Sequence, residues 1–569
     1  VEEAMKRVGK IFLWFVAILF VIEVAAIAVM WYSRRIRPAT VLTYRIEGVV
    51  SEQPPRDVFS ELALGPRTTV SDVVESLDRA RRDPRITGIE LRVSESTLGF
   101  ANIQEIREKI REFNRSGKFS VAYLEFGTNR SYYLASACQT VVLLPKSTLF
   151  IRGLMTSSTF FRGTFDKLGI YPDIYHVGEY KSAKEIYTEK KYTPAHREAA
   201  EALLKDFSRQ FVRHIAENRG LSVEEAERAI AQGPLSSEEA LKLKLVDRVA
   251  YSDEVRELIR GKNAGKDNVR SYREYLRRSS RGGASKLAVI FATGTILPGR
   301  STDNPLTGEV MGSETMAEQF RRAREDSSVR AVVVRVNSPG GAVFPSEAIR
   351  REVELTRNVK PVVVSMSDVA ASGGYWIAVS ANKIVAEPGT VTGSIGVVGG
   401  KFNLKGLYEK FGLSKDFIAT TENSTIEYPF QNFTPAQREK VQTYMRQTYD
   451  DFVQGVAEGR GMDVAAVEKV ARGRVWTGER AQELGLVDEL GGLDAAIAAA
   501  KELAQIPADE TVSLLYLPPP RPLLDRLLDV MSGVRAMRDG LSVREWLARL
   551  ESLAGLGAWA LLPAVPQAQ

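Results

Sequence analysis

Ile86-Thr87-Gly88-Ile89-Glu90-Leu91-Arg92-Val93 and Val329-Arg330-Ala331-Val332-Val333-Val334-Arg335-Val336 stand 243 positions apart and read as the same apolar strand. The same spacing lays Tyr132-Tyr133-Leu134-Ala135 on Tyr375-Trp376-Ile377-Ala378, Gly169-Ile170 on Gly412-Leu413, and Asp173 on Asp416. One register held across so much chain marks an internal duplication. Each copy opens on a β-rich segment, Val41 to Ile46 or Leu287 to Phe291, and then alternates strands with amphipathic helices, the pattern of an α/β fold. A long helix follows Thr193-Pro194 in the first copy and Thr434-Pro435 in the second, with threonine as N-cap and proline in the first turn. Both copies close on Leu-Val-Asp, ending at Asp247 and Asp488, where the spacing has dropped to 241. The second copy is therefore two residues shorter, the loss falling between Asp173 and Thr193 in first-copy numbering.

The length of 569 residues exceeds what one ordinary core accommodates, in agreement with the duplication. The boundaries read from the sequence are a membrane anchor over 1–37, a first copy over 38–260, and a basic connector over 261–285. A second copy over 286–505 and a C-terminal extension over 506–569, to which the sequence gives no role, complete the chain. The connector is rich in glycine and basic residues and reads as solvated. Seventy-seven Lys and Arg against 71 Asp and Glu leave a net charge of only +6, which gives nucleic acid no special claim as a partner. The single cysteine, Cys138, excludes an intrachain disulfide and a thiolate metal cluster, and its apolar setting predicts a buried, inert thiol. Neither a metal nor a cofactor is expected.

Ile11 to Tyr32 is a run of 22 residues interrupted only by Glu23, long enough as a helix to cross a hydrocarbon layer of about 30 Å. Ala26-Ile27-Ala28 resembles a cleavage site, but the apolar run continues past it, so an uncleaved anchor in contact with membrane lipid is the reading adopted. Basic residues flank the run on both sides, and charge alone does not orient it.

The chemistry is divided between the copies. Ser372, in Ala371-Ser372-Gly373-Gly374, falls on Asn129 of the first copy. Lys181 falls on a position between Glu422 and Ser424, none of which is lysine. A serine hydroxyl needs a base before it attacks a carbonyl. Of the three histidines, His196 and His214 belong to the long helix, and His176, five residues from Lys181, has nothing in its context to orient it. A lysine serves instead when burial keeps it neutral near pH 7. Ser372 sits where a strand meets a helix, a place from which the next amide can face a developing oxyanion. Pro339-Gly340-Gly341 ends another strand and supplies a second backbone donor, whereas Ser96, Thr97 and Leu98 replace it in the first copy. Ser380-Ala381-Asn382-Lys383 has the Ser-x-x-Lys spacing without companion motifs, and it reads as helix termination.

On these residues the chain resembles the signal peptide peptidase A family, also called protease IV, in its long duplicated form. The resemblance runs from the apolar N-terminal segment to about residue 500. It implies tandem Clp protease/crotonase-like α/β domains behind an N-terminal transmembrane helix. Ser372 is then the nucleophile, Lys181 the general base, and Ser394 of Thr392-Gly393-Ser394-Ile395-Gly396 the group holding the lysine amine. Gly341 or Gly340, with the amide of Gly373, forms the oxyanion hole. The family's Gly-Lys-Tyr-Lys stands here as Gly178-Glu179-Tyr180-Lys181. The resemblance further implies a homotetramer on the bacterial inner membrane with its catalytic part on the periplasmic side. Released signal peptides and other unfolded polypeptides would be its substrates. Two other readings compete with it: a crotonase-like acyl-CoA enzyme, which also uses paired amides but leaves the anchor and the glycine-flanked serine unexplained, and a non-catalytic membrane scaffold.

Overall fold

The computed structural model describes Trp14 and residues 36–53, 68–278, 282–304, 308–519 and 559–561. The proposed anchor over 11–32 lies outside the described residues apart from Trp14, as does most of the extension beyond Pro519. Among the described residues no helix is long and apolar enough to cross a membrane.

Two parallel sheets of the same strand order dominate. The first runs Arg248–Val249, Thr140–Leu143, Phe119–Leu124, Ile86–Ser96, Thr40–Gly48, Val269–Ser271. The second repeats it as Glu489–Leu490, Lys383–Ala386, Val362–Ala371, Val329–Ser338, Ser285–Thr293, Val512–Leu517. Parallel strands are covered on both faces, which is why Val332, Val333 and Val334 are all fully buried and the strand reads as continuous rather than alternating. Each sheet has its own apolar core, around Leu42, Leu91, Phe113 and Tyr132 in one copy and Ile290, Val334, Tyr375 and Phe452 in the other.

The duplication extends to single hydrogen bonds. Tyr132 donates to the Leu245 carbonyl at 2.7 Å, and Tyr375 to the Leu486 carbonyl at 2.9 Å. Arg219 clasps Asp247 through both its terminal nitrogens, as Arg460 clasps Asp488. The two long helices, Pro194–Arg219 and Pro435–Arg460, begin on Thr193 and Thr434 caps and end on left-handed Gly220 and Gly461. The edge strands Val269–Ser271 and Val512–Leu517 show the repeat again, since each runs parallel beside the opening strand of its copy, Thr40–Gly48 or Ser285–Thr293.

That strand changes the reading of the connector. Within 261–285, Val269–Ser271 pairs with the first strand and the following helix, Tyr272–Arg278, buries Tyr272 and Tyr275. Tyr272 stacks on Tyr44 with ring centroids 4.9 Å apart. The composition is polar because Arg273, Arg277 and Arg278 share the helix with only those two aromatic anchors.

Several contacts fasten the copies together. Arg335, buried on the second copy's central strand, meets first-copy Glu52 at 3.0 Å and Glu105 at 2.5 Å, and also bonds Asn102 and Ser365. Asp368 caps the first-copy helix Phe100–Arg115, accepting from the Asn102 amide at 2.9 Å and from Gly99 at 3.2 Å. Burial nevertheless pushes its carboxyl up to about 6. The first-copy strand Tyr171–Val177 pairs antiparallel over seven rungs with second-copy Val397–Asn403.

Candidate active site

Ser372 follows the last residue of the central strand Val362–Ala371 and precedes the helix Gly373–Ala378. Reversing from strand to helix in one residue forces φ to +56° and ψ to −120°, a conformation that costs a non-glycine residue about 1–3 kcal/mol. The Ser372 amide donates to the Gly393 carbonyl at 2.8 Å, and the Ser372 carbonyl accepts from Trp376 at 2.9 Å, so both ends of the turn are tied. Ser394 also has a positive φ, +55°, and its amide donates to Arg474.

Lys181 arrives from the first copy. The strand Tyr171–Val177, zipped to Val397–Asn403, delivers the chain to Gly178, and the Tyr180 amide then donates to the Arg472 carbonyl at 2.9 Å. Gly473, with φ +78°, packs so closely that a Cβ there would stand about 2.5 Å from the Lys181 amide and Cβ. Any larger residue would push the lysine away. The Lys181 carbonyl is held by His176 Nδ1 at 2.9 Å, so this histidine supports the lysine's backbone and belongs to the loop rather than to Ser372.

The lysine amine lies 2.7 Å from Ser372 Oγ, 2.9 Å from the Ser394 carbonyl and 3.0 Å from Ser394 Oγ. All three residues are fully buried. Burial alone drives the Lys181 amine well below the ordinary lysine range, because the ammonium has lost its water. A neutral amine has two N–H groups and one lone pair. Ser394 offers two acceptors, its carbonyl and its hydroxyl, which leaves the lone pair for the Ser372 hydroxyl proton. The arrangement can thus deprotonate the serine as it attacks.

The glycines line the other side. Gly373 opens its helix, so its N–H has no carbonyl four residues back. The strand Gly340–Ala342 runs beside it: a Cβ on Gly373 would stand 3.2 Å from both the Gly341 nitrogen and the Gly340 Cα. The Gly340 amide donates to Ser338 Oγ at 3.2 Å, which leaves Gly341 the better placed to face a substrate oxygen with Gly373.

The remaining sequence candidates lie apart from this cluster. Lys383 forms an ion pair with Glu489 and Ser380 bonds Arg350, so the Ser-x-x-Lys spacing carries no site. His196 pairs with Glu185, and His214 bonds Tyr133. Cys138 is buried, and burial pushes its thiol up to about 12. Among the described residues no three His, Cys, Asp or Glu side chains gather in a metal-binding group. Sequence reasoning missed Arg472, Gly473 and the second-copy strand that carries the lysine arm. The only trace is Gly473 between two arginines, which reads as an ordinary turn. A cavity of about 660 Å³ lies elsewhere, over Asn129, Ser96, Thr97, Tyr133 and Asp368.

A parallel α/β core that presents a strained serine beside a buried lysine and glycine backbone amides belongs to the serine hydrolases. Comparison with known proteins narrows this class. The family model described as Peptidase family S49 matches residues 112–264 and 354–507. Serine protease SPPA, chloroplastic, of Arabidopsis thaliana is 34% identical over 516 residues, which cover 88% of this chain and 74% of the relative. Protease 4 of Salmonella typhi is 36% identical over 482 residues, covering 82% and 76%. ClpP1 from Listeria monocytogenes aligns at 15% identity and a TM-score of 0.23 over 37% of this chain and 94% of its own. The chain belongs to peptidase family S49, in the long duplicated form typified by protease IV, and is a serine endopeptidase. That membership sets aside the acyl-CoA and scaffold readings.

Proposed function

We propose that Ser372 is the nucleophile and Lys181 its general base, with Ser394 holding the amine and the Gly341 and Gly373 amides receiving the oxyanion while Gly340 shapes the turn. Ser372 Oγ attacks the substrate carbonyl as its proton passes to Lys181 Nζ. The C–N bond then breaks, the leaving amine takes that proton, and an acyl-enzyme on Ser372 remains. Water, deprotonated by the same amine, releases the acyl group and restores the serine. The observation that carries this reading is the 2.7 Å contact between a fully buried lysine and a strained serine 191 residues away.

The reading extends to substrate and setting. Two backbone edges border the site, Gly340–Ala342 and Val397–Asn403, and such edges suit an extended, unfolded polypeptide. Released signal peptides and other unfolded chains are the proposed substrates. The apolar run over 11–32 supports a single-pass anchor in the bacterial inner membrane with the catalytic part on the periplasmic side. The homotetramer rests on the family resemblance. The boundaries 38–260 and 286–505 remain the proposed extents of the two copies, with 269–278 added to the first and 512–517 to the second.

The test is complementation. Chains carrying Ser372→Ala and Lys181→Ala are co-expressed, mixed oligomers are verified, and hydrolysis of an unfolded polypeptide is measured. An intrachain site predicts an inactive mixture, since every site contains one broken member. Recovery of a large share of activity would place the lysine and serine of each site on different chains.

A further inference from the structure

A second cavity, of about 610 Å³, lies at the seam between the copies, and none of the proposed catalytic residues lines it. The first-copy helix Phe100–Arg115 forms one wall from Glu105 to Glu112, and the second-copy helix Leu493–Leu503 forms another. Asp494, Ile497, Ala498 and Lys501 of the latter face it, a spacing of three and four that places them on one side of the helix. The cavity is therefore a slot that follows the helix for about 10 Å. Eight acidic and four basic side chains line it, so its charge suits a cation. Most of the acids are answered within the protein: Asp78 by Arg81 and Arg82, Glu112 and Asp494 by Lys109, and Glu105 by Arg335 and the Leu493 amide. Two shielded carboxyl groups are not, and they stand at opposite ends of the slot. Glu387 is 6% exposed, and its carboxyl group accepts no hydrogen bond among the described residues. It sits where the helix begins, because the Gly491 amide donates to the carbonyl of the preceding residue, Ala386. Glu510 sits where the helix ends: its carbonyl accepts from Lys501 at 2.7 Å, and its Oε1 is buried without a partner among the described residues. Buried oxygens of this kind are satisfied in native proteins by a donor, whether water, an ion or a ligand.

We infer that this slot is a binding site for a linear aliphatic polyamine, with one terminal ammonium against Glu387, the other against Glu510, and the methylene chain along Ile497 and Ala498. An ammonium carries three donors, and both carboxyl groups have acceptor capacity to meet them. The apolar chain between the charges gains by lying on apolar side chains, as the stem of a lysine does. Two separated carboxyl groups ask for two separated charges, and a single lysine or arginine side chain brings only one. A divalent metal asks instead for oxygens converging on one point, and among the described residues no three His, Cys, Asp or Glu side chains are so grouped. The charged groups that face Glu387 are Glu105, Glu108 and Lys109 of the first-copy helix and Arg335 of the central strand. Burial and the neighbouring Glu105 hold the Glu387 carboxyl well above the ordinary range, a state that an adjoining ammonium reverses. A polyamine in the slot lies between the copies, next to the contact of Arg335 with Glu105, and so adds to the resistance of the joined copies to unfolding.

The test is calorimetric titration of the full chain with spermidine at physiological ionic strength. One-to-one binding with a micromolar Kd is expected. Octamethylenediamine should bind comparably, whereas ethylenediamine, too short to span the slot, and octylamine, with one charge, should each bind about tenfold more weakly or worse. Glu387→Gln and Glu510→Gln should each weaken spermidine about tenfold through loss of one charge-assisted contact. Glu483→Gln, at an exposed acid outside the slot, should leave the Kd unchanged. At a hundredfold excess over Kd, spermidine should raise the Tm of the parent chain by about 2 °C and that of Glu387→Gln by less. Absence of saturable binding overturns the inference. Equal weakening by Glu483→Gln also overturns it, because the attraction is then diffuse. Magnesium binding that is tighter than spermidine and lost in Glu387→Gln overturns it in favour of a metal site. If Glu387→Gln fails to fold, Glu510→Gln and the diamine series decide, and equal affinity for the short and the long diamine overturns the inference as well.

Discussion

Asn129 and Ser372 occupy the same place in the two copies and show how a shared scaffold is used differently. Asn129 begins its helix behind a Thr128 cap in relaxed geometry, its side chain donating to the Gly153 carbonyl at 2.9 Å and accepting from Arg152 at 3.3 Å. Ser372 is itself the cap residue, twisted to φ +56°, with its hydroxyl turned to the lysine. The position of Ser394 is held in the first copy by Ile151, a β-branched residue for which positive φ is unfavourable. The first copy therefore retains the sheet and relinquishes the strain. At these two matched positions the strain is kept in the second copy alone, and the first copy supplies Lys181 to the same cluster instead.

The sharpest way to break this comparison is to delete the two matched side chains. Ser372→Ala should lower kcat by roughly 10⁴-fold or more, whereas Asn129→Ala should leave kcat within about twofold, both measured on the same unfolded substrate at unchanged secondary structure. Comparable losses in the two variants would mean that the first-copy site still acts in catalysis. Lys181→Ala should lose nearly as much as Ser372→Ala, and the double variant little more, because base and nucleophile act as one unit. Lys181→Arg should fail too, since a guanidinium stays charged.

A second matched pair tests how the copies hold together. Arg335 and Arg92 stand on equivalent strands, but Arg335 is buried among first-copy carboxylates while the partly exposed Arg92 reaches Glu90 of its own strand. Arg335→Met should destabilise the chain by about 3–5 kcal/mol by leaving Glu52 and Glu105 buried without their partner. Arg92→Met should cost below about 1 kcal/mol in the same denaturant titration. Equal costs would deny the inter-copy network its role.

The smallest effect concerns pH. Lys181 has a folded-state value well below its unfolded one, so the unfolded chain binds the extra proton in the interval between them. Stability should therefore rise with pH through that interval and level off near 10.4, and the Lys181→Met variant should lack this contribution. Activity should follow the same deprotonation, rising on an alkaline limb whose midpoint lies below the ordinary lysine range. A limb unmoved in a Lys181 variant with residual activity would assign the titration to another group.

Much of this was legible in the chain because duplication makes each copy a control for the other. The 243-residue register exposed the sheets, and the mismatches at Asn129 and Lys181 pointed to Ser372 and Lys181, which lie 2.7 Å apart. What stayed hidden was contact between copies. The pairing of Tyr171–Val177 with Val397–Asn403 joins segments more than 200 residues apart, and nothing in either stretch announces its partner. Gly473 is informative only once the lysine is known to lie on it. The connector misled for a simpler reason: Tyr272 and Tyr275 anchor a stretch that is otherwise basic, and average composition conceals two buried rings.

The grip of Arg472 and Gly473 on the lysine loop has a consequence for how the enzyme is made. Ribosomes release chains from the N-terminus, and domains tend to fold as they emerge. Lys181 leaves the ribosome long before Ser372, and the residues that seat the lysine follow some 100 residues after the serine. On the proposed assignment a nascent chain carries a base without a nucleophile, then both without their clamp, and becomes a protease only once Arg472 and Gly473 have emerged. Unfolded chains nearby would be spared until those residues are in place.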